Sequence, residues 1–253
     1  MGGVPVAERS RFDISSFALH LLAMGLMLCD HAWAVLFPAQ EWLTCIGRIA
    51  FPIFAFMLAE GYARTHDLRR YLLRIFLWAC LSEVPFNLLA GGGIAYPYHQ
   101  NVLWTFLESL LLIALIEKCR ARFRKLPAAV LTACIVIFGF LLGYATMVDY
   151  YGAGILMVLT FYFLRGQSWH TRLLQFLCLY FINVELLGGY CYAFWLFGQQ
   201  LELPQQGFAL LALIPIWLYR GRQGFHHKAF QWACYAFYPA HILVLLFIRY
   251  LLV

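Results

Sequence analysis

The chain has 253 residues, of which 64% are hydrophobic, 18% aromatic and only 12% charged, with a mean hydropathy of +0.75. A soluble domain is nearer half apolar and a quarter charged, so this chain has too little polar surface to cover a globule in water. The composition excludes a soluble enzyme or binding module and leaves an integral membrane protein that is nearly all membrane domain. A net charge of +6 raises nucleic acid as a partner, a class that the placement of the charges removes below.

Taken in chain order, nine helix-length segments are expected, at about 14–36, 43–64, 70–91, 101–117, 127–146, 152–165, 171–187, 206–219 and 229–251. They lack the ten-residue in/out alternation of an outer-membrane barrel. Backbone groups in lipid must be satisfied within the segment, so the expected fold is an all-α polytopic bundle forming one domain over residues 1–253. The first segment contains "LLAMGLMLCDHAWAVL", which holds Asp30 and His31. Adjacent helical residues point about 100° apart, so these two cannot face one another, and His31 needs an orienting acceptor from another helix, for which Glu83 is expected. The "AWA" at 32–34 resembles a signal-peptide cleavage site. Charges just before the cut and the long apolar run favour an uncleaved helix.

The second segment, within "CIGRIAFPIFAFMLAEGYARTHDLRR", places Arg48 near one end and Glu60 near the other. The third brings Glu83 and Asn87, and the "GGG" after it is a turn rather than a nucleotide loop. "YHQNVLWTFLE" puts His99, Gln100 and Asn101 at the mouth of the fourth segment, with Glu108 two turns deeper, and "TMVDYY" carries Asp149. The sixth and eighth segments are short for a full crossing. Asn183 and Glu185 end the seventh, and the Gly- and Pro-bounded stretch at 188–204 reads as a re-entrant or interfacial segment. Arg220, Gly221, Arg222, Gly224 and Lys228 form a basic loop, with His226 and His227 solvated, that reads either as topological charge alone or as a phosphate-contact surface. His241 lies near the middle of the last segment, where it satisfies either a functional partner or a carbonyl freed by Pro239.

All Lys and Arg except Arg48 and Arg249 fall in the N-terminal tail and in alternate connections, while the remaining connections carry none. By the positive-inside rule the N-terminus is cytoplasmic and the C-terminus outside. The positive charge is therefore mainly topological, and nucleic acid drops out as a partner. The eight cysteines are scattered singly without ligand spacing, so no metal site is expected.

On this topology Asp30, His31, Arg48, Glu83, Asn87, Asn101 and Glu185 share the outer half of the membrane, whereas Glu60 lies near the inner face. A charge at a helix centre costs roughly 2.5–3.5 kcal/mol even on lenient scales. Ion pairs that tie helices together are one reading. The concentration of polar groups in one leaflet, with a histidine able to exchange protons near neutral pH, favours an outward-opening hydrated cavity.

The stretches "LCDHAWAVLFP", "GRIAFPIFAFMLAEGYARTHDLRRYLLRI", "LSEVPFN", "QNVLWTF", "DYYGAGILMVLTFYFLR" and "KAFQWACYAFYPAHILVLLFI" together resemble the TraX family, in order and over nearly the whole chain. That family looks like a divergent branch of the transmembrane acyltransferases, and members are implicated in N-terminal acetylation of pilin. The resemblance implies transfer of an acetyl or other short acyl group from cytosolic acetyl-CoA to an amine or hydroxyl of an extracytoplasmic acceptor, a peptide or a glycan, in a bacterial cytoplasmic membrane. Under it His31, Asp30, Arg48 and Glu83 carry the chemistry, His31 as general base and Arg48 as oxyanion stabiliser. Arg220, Arg222, Lys228 and His241 face the CoA, and Asn87, Asn101, Glu60 and Asp149 face the acceptor. Asn87 stands where an aspartate is expected after "PF", and Arg220 where an uncharged polar residue is expected. A proton-coupled transporter and a membrane assembly factor are the competing classes. The sequence shows no pair of similar halves, which counts against a transporter.

Overall fold

The computed structural model describes residues 13–225 and 227–252; Arg9, Arg11 and His226 lie outside them. Ten α-helices account for most of the fold: α1 (Ser16–Val35), α2 (Glu41–Gly47), α3 (Ala50–Arg64), α4 (Leu68–Gly91), α5 (Val102–Arg122), α6 (Lys125–Ala145), α7 (Tyr151–Phe163), α8 (Trp169–Tyr180), α9 (Leu213–Leu218) and α10 (Lys228–Leu252). All nine expected segments are helical. Among the described residues, five spans are long and apolar enough to cross a membrane: α1, α2 with α3, α4, α6 and α10.

Local chemistry sets the boundaries. Ser15, Asp67, Asn101 and Ser168 each accept a backbone N–H from the first turn of the helix that follows. Gly92, at φ +69°, ends α4 in the left-handed conformation that glycine alone adopts without cost. The second expected segment is broken between α2 and α3 at Arg48 and Ile49. Pro52 supplies the cause, since it has no N–H for the Arg48 carbonyl four residues back and its ring crowds that carbonyl. The break leaves Arg48 at a helix junction rather than on a continuous face.

Packing inverts the soluble pattern. Leu73, Leu77 and Leu81 form an exposed stripe along α4, and Ile137, Phe138 and Leu141 do the same on α6. Thr44, Ser82, Asn87, Asn101, Thr105, Ser109, Gln175 and Asn183 are buried. Such an exterior suits hydrocarbon, not water. Helix α7, which has no charged residue, is enclosed by α3, α5, α6 and α8. Gly143 and Gly152 let α6 and α7 approach backbone to backbone: a β-carbon on Gly143 would lie 2.7 Å from the Gly152 nitrogen.

Two expectations are corrected. Within the 188–204 segment, Cys191–Leu196 (β1) and Gln199–Pro204 (β2) pair as an antiparallel hairpin, so the fold is not wholly α. Its two-residue turn, Phe197 at φ +50° and Gly198 at +77°, has the twist that two-residue hairpins require. Phe194, Trp195 and Phe197 are exposed. The seventh segment changes from α8 into a π-helical turn (Phe181–Leu187), and the eighth begins as a 3-10 helix (Gln205–Ala212) before α9.

Candidate functional site

The described basic side chains other than Arg48 and Arg249 gather at one end of the bundle. There Arg64 donates to the Gly221 carbonyl, Arg165 pairs with Glu60 at 3.1 Å, and Arg222 donates to the Asp13 carbonyl. At the other end lie Asp30, His31 and Arg48. Arg48 Nη2 donates to Asp30 Oδ1 at 2.7 Å, and Thr44 Oγ1 donates to the same oxygen, also at 2.7 Å. Arg48 in turn donates to the Thr44 hydroxyl at 2.9 Å, closing a triangle of charge-assisted bonds. It forms because Gly47 carries no side chain; a β-carbon there would overlap Asp30. The Tyr150 phenol lies beside the guanidinium, with its ring stacked on Phe51 at 4.0 Å between centroids.

Asp30 and His31 face different partners, as adjacent helical residues must. His31 Nδ1 is 2.6 Å from His241 Nε2, and His241 Nδ1 is 2.6 Å from the Phe237 carbonyl. The carbonyl can only accept, so His241 carries its proton on Nδ1 and its Nε2 accepts from His31 Nδ1–H. This relay fixes the His31 tautomer and leaves the Nε2 lone pair for a proton or an electrophile. His241 thus orients His31. The carbonyl it uses is that of Phe237, not the Tyr235 carbonyl freed by Pro239.

Glu83, expected to orient His31, instead accepts from Asn101 Nδ2 and, at 2.9 Å, from the Trp104 indole. Asn101 is fully buried as the N-cap of α5 and also donates to the Ala79 carbonyl. Asn87 donates to the Ile94 carbonyl, tying down the loop after α4. Asp149 binds His99, Nε2 to Oδ1 at 3.2 Å. Glu60 belongs to the basic end, between Arg64 and Arg165. Glu185 is exposed. Arg220, Arg222 and Lys228 are exposed around the mouth of the basic end.

A cavity of about 350 Å³ opens among Ser16, Arg64, Thr65 and Gln223 at that end and runs inward between α1, α3, α4, α5 and α10. Its inner lining includes Met27, Phe54, Val102, Phe106 and Tyr238. Tyr238 also lies against both histidines, 6.1 Å from His31 and 6.1 Å from His241 between centroids. Arg74 lines the same cavity. Its Nε is buried without a hydrogen-bond partner, and among the described residues it has no carboxylate. Its guanidinium sits 5.6 Å from the centre of the Tyr71 ring.

Sequence reasoning missed Thr44, Tyr150, Tyr238 and Arg74. Thr44 was legible as the i−4 neighbour of Arg48. Arg74 was absorbed into the topological charge, and its cavity depends on four other helices.

The TraX protein family matches residues 15–249. Protein TraX of Escherichia coli strain K12 is 29% identical over 161 residues, 62% of this chain and 60% of that protein. A probable fimbrial assembly protein FimC, serogroup H1, of Dichelobacter nodosus is 24% identical over 110 residues, 39% of this chain and 45% of that protein. These alignments cover less than two thirds of either relative. No solved structure matches. With the family match extending over nearly its whole length, this helical membrane protein belongs to the TraX family.

Proposed function

We propose that the protein is a transmembrane acyltransferase that takes a short acyl group from acetyl-CoA at its basic, cytoplasmic end and passes it to an amine or hydroxyl at the opposite face of a bacterial cytoplasmic membrane. One observation carries this reading: Tyr238, in the lining of the cavity at the basic end, also lies against the His31–His241 relay. A narrow, mostly apolar cavity with cations at its entrance suits a thioester arm whose phosphates remain near the mouth. Arg74 and Arg64 are the phosphate contacts in this reading, with Arg220, Arg222 and Lys228 outside them. His31 Nε2 takes the proton of the attacking acceptor, an effect of about 10²–10⁴-fold for a positioned base. Arg48 is held by Asp30 and Thr44 where the developing oxyanion needs a cation. Nine crossings, with the N-terminus in the cytoplasm, complete the arrangement. One relative's name as a fimbrial assembly protein supports an acceptor in a surface fibre.

The test is acetyl-CoA binding and slow hydrolysis by the purified protein, wild type beside His31→Ala. The variant is expected to bind but not hydrolyse. Arg74→Gln is expected to weaken acetyl-CoA by roughly tenfold, the scale of one charge-assisted bond, while leaving acetyl-pantetheine, which lacks the phosphates, unaffected. A folded wild-type protein with no CoA-dependent signal would remove the proposal and turn attention to substrate-driven uptake.

A further inference from the structure

His99 and Asp149 form a second titratable pair, which the acyl-transfer reading leaves unused. Their side chains are 32% and 26% exposed, at the end of the bundle where Asp30 and Arg48 lie. The His99 ring is seated between Phe86, edge-on at 5.3 Å, and Tyr151, stacked at 5.9 Å. Asp149 is held from several directions. Its carbonyl accepts from Thr105 Oγ1 at 2.7 Å, its Oδ1 accepts from the Tyr150 amide at 3.0 Å, and the connection is anchored by Gln100 N–H on the Met147 carbonyl. Met147, Tyr150 and Tyr151 adopt φ of +54°, +59° and +48°. Three side-chain-bearing residues in the left-handed region within five positions are unfavourable, and such strain persists where packing imposes it, often at functional sites. Here it aims Asp149 at His99 while keeping it within electrostatic reach of Arg48, Asp30 and Tyr238.

The chemistry of acyl transfer supplies a task for this pair. An ammonium acceptor must lose two protons: one before its nitrogen can attack and one after the N–C bond has formed. As the C–S bond breaks, the thiolate leaves and takes up one of them. The other must reach water. A hydroxyl acceptor has only one proton to lose, and it goes to the departing thiolate. We propose that His99, oriented by Asp149, is the base that removes the first proton from a protonated amine acceptor and delivers it to the solution on the acceptor side, while His31 carries the second to the leaving sulfur. This rests on the acyl-transfer reading. The groups facing His99 suit the role: Asp149 from the connection before α7, Glu83 from α4 and Tyr151 from α7. The hydrogen bond that His99 donates to Asp149 holds the imidazole above its ordinary value, making it the stronger base.

The experiment measures radiolabelled acetyl transfer from acetyl-CoA by the full chain, with glycinamide as the amine probe and glycerol as the hydroxyl probe, between pH 6.5 and 9. His99→Gln is expected to slow transfer to glycinamide on the order of 10²-fold at pH 7.5, with the deficit closing towards pH 9, where the amine is already free. Acetyl-CoA affinity, measured separately, is expected to persist and reports folding. Asp149→Asn, which keeps the side-chain shape, is expected to shift the same profile by less and carries the test if His99→Gln does not fold. Wild-type rates for His99→Gln at pH 7.5, a deficit equal at both pH values, or transfer to glycerol without transfer to glycinamide would each overturn the assignment. A wild-type protein that binds no acetyl-CoA would instead remove the acyl-transfer reading and this assignment with it.

Discussion

At the scale of residues, the Asp30–Arg48–Thr44 triangle has the largest energetic consequence. Breaking a mostly buried ion pair from one side leaves an uncompensated charge, so Asp30→Asn is expected to destabilise the protein by about 3–5 kcal/mol. Thr44→Val removes a hydroxyl but no charge and is expected to cost about 1 kcal/mol; thermal melts in detergent would rank the two. His99 gives a pH-dependent counterpart. Its folded pKa is raised by Asp149, so the stabilisation is complete below about 6.5, the ordinary imidazole value, and fades as pH rises through the higher folded value. Asp149→Asn is therefore expected to lower the melting temperature at pH 6 and to approach wild type in alkaline buffer. A deficit unchanged with pH would show that the carboxylate acts there only by packing. Much of this chemistry was legible in the sequence as a set of expensive polar residues in apolar helices, with Asp30, Glu83 and Glu185 all at the level of Arg48. The partner of His31 was not. His241 lies 210 positions away, and nothing local distinguishes it from a histidine satisfying its own helix.

At the scale of elements, two features decide whether the site forms. The α2–α3 break delivers Arg48 to Asp30, and Gly47 admits α1 beside it. Gly143 admits α7 against α6. Gly143→Val is expected to cost about 1–3 kcal/mol or more, because the obstructing atoms are backbone and cannot rotate away; a melting temperature equal to wild type would refute that close approach. The helices were readable because long apolar runs fix their type. The Arg48 break was implicit in Pro52, since the proline removes the bond that would bridge it. The hairpin was not readable: its first strand is as apolar as a membrane segment, and its turn is Phe-Gly rather than the Asn-Gly or Asp-Gly that ordinarily marks one.

At the scale of the whole molecule, the described helix termini put the basic residues at one end and the Asp30–Arg48 site at the other. Single cysteines introduced by Arg220→Cys and Gln40→Cys, in a chain cleared of its eight native cysteines, are expected to react with a membrane-impermeant thiol reagent from opposite sides of sealed vesicles. Labelling of both from one side would overturn the topology and, with it, the route from cytosolic donor to external acceptor. Composition alone announced the membrane class, and the alternation of charge announced the polarity of the bundle. The cavity at the basic end was hidden, because its walls come from helices far apart in the chain.

Helix α7 has one more consequence. It is enclosed by protein and has only 13 residues, so it is about 20 Å long, against a hydrocarbon layer of about 30 Å. At this helix the apolar layer between the two ends would be thinner than the surrounding lipid. The resting voltage of the cell would fall across a shorter gap, so the electric field inside the protein would be steeper than in the surrounding bilayer. A charge carried over the whole gap exchanges about 2.3 kcal/mol with each 100 mV. Any net charge that the proposed transfer moves between the two ends would therefore feel the voltage across the membrane.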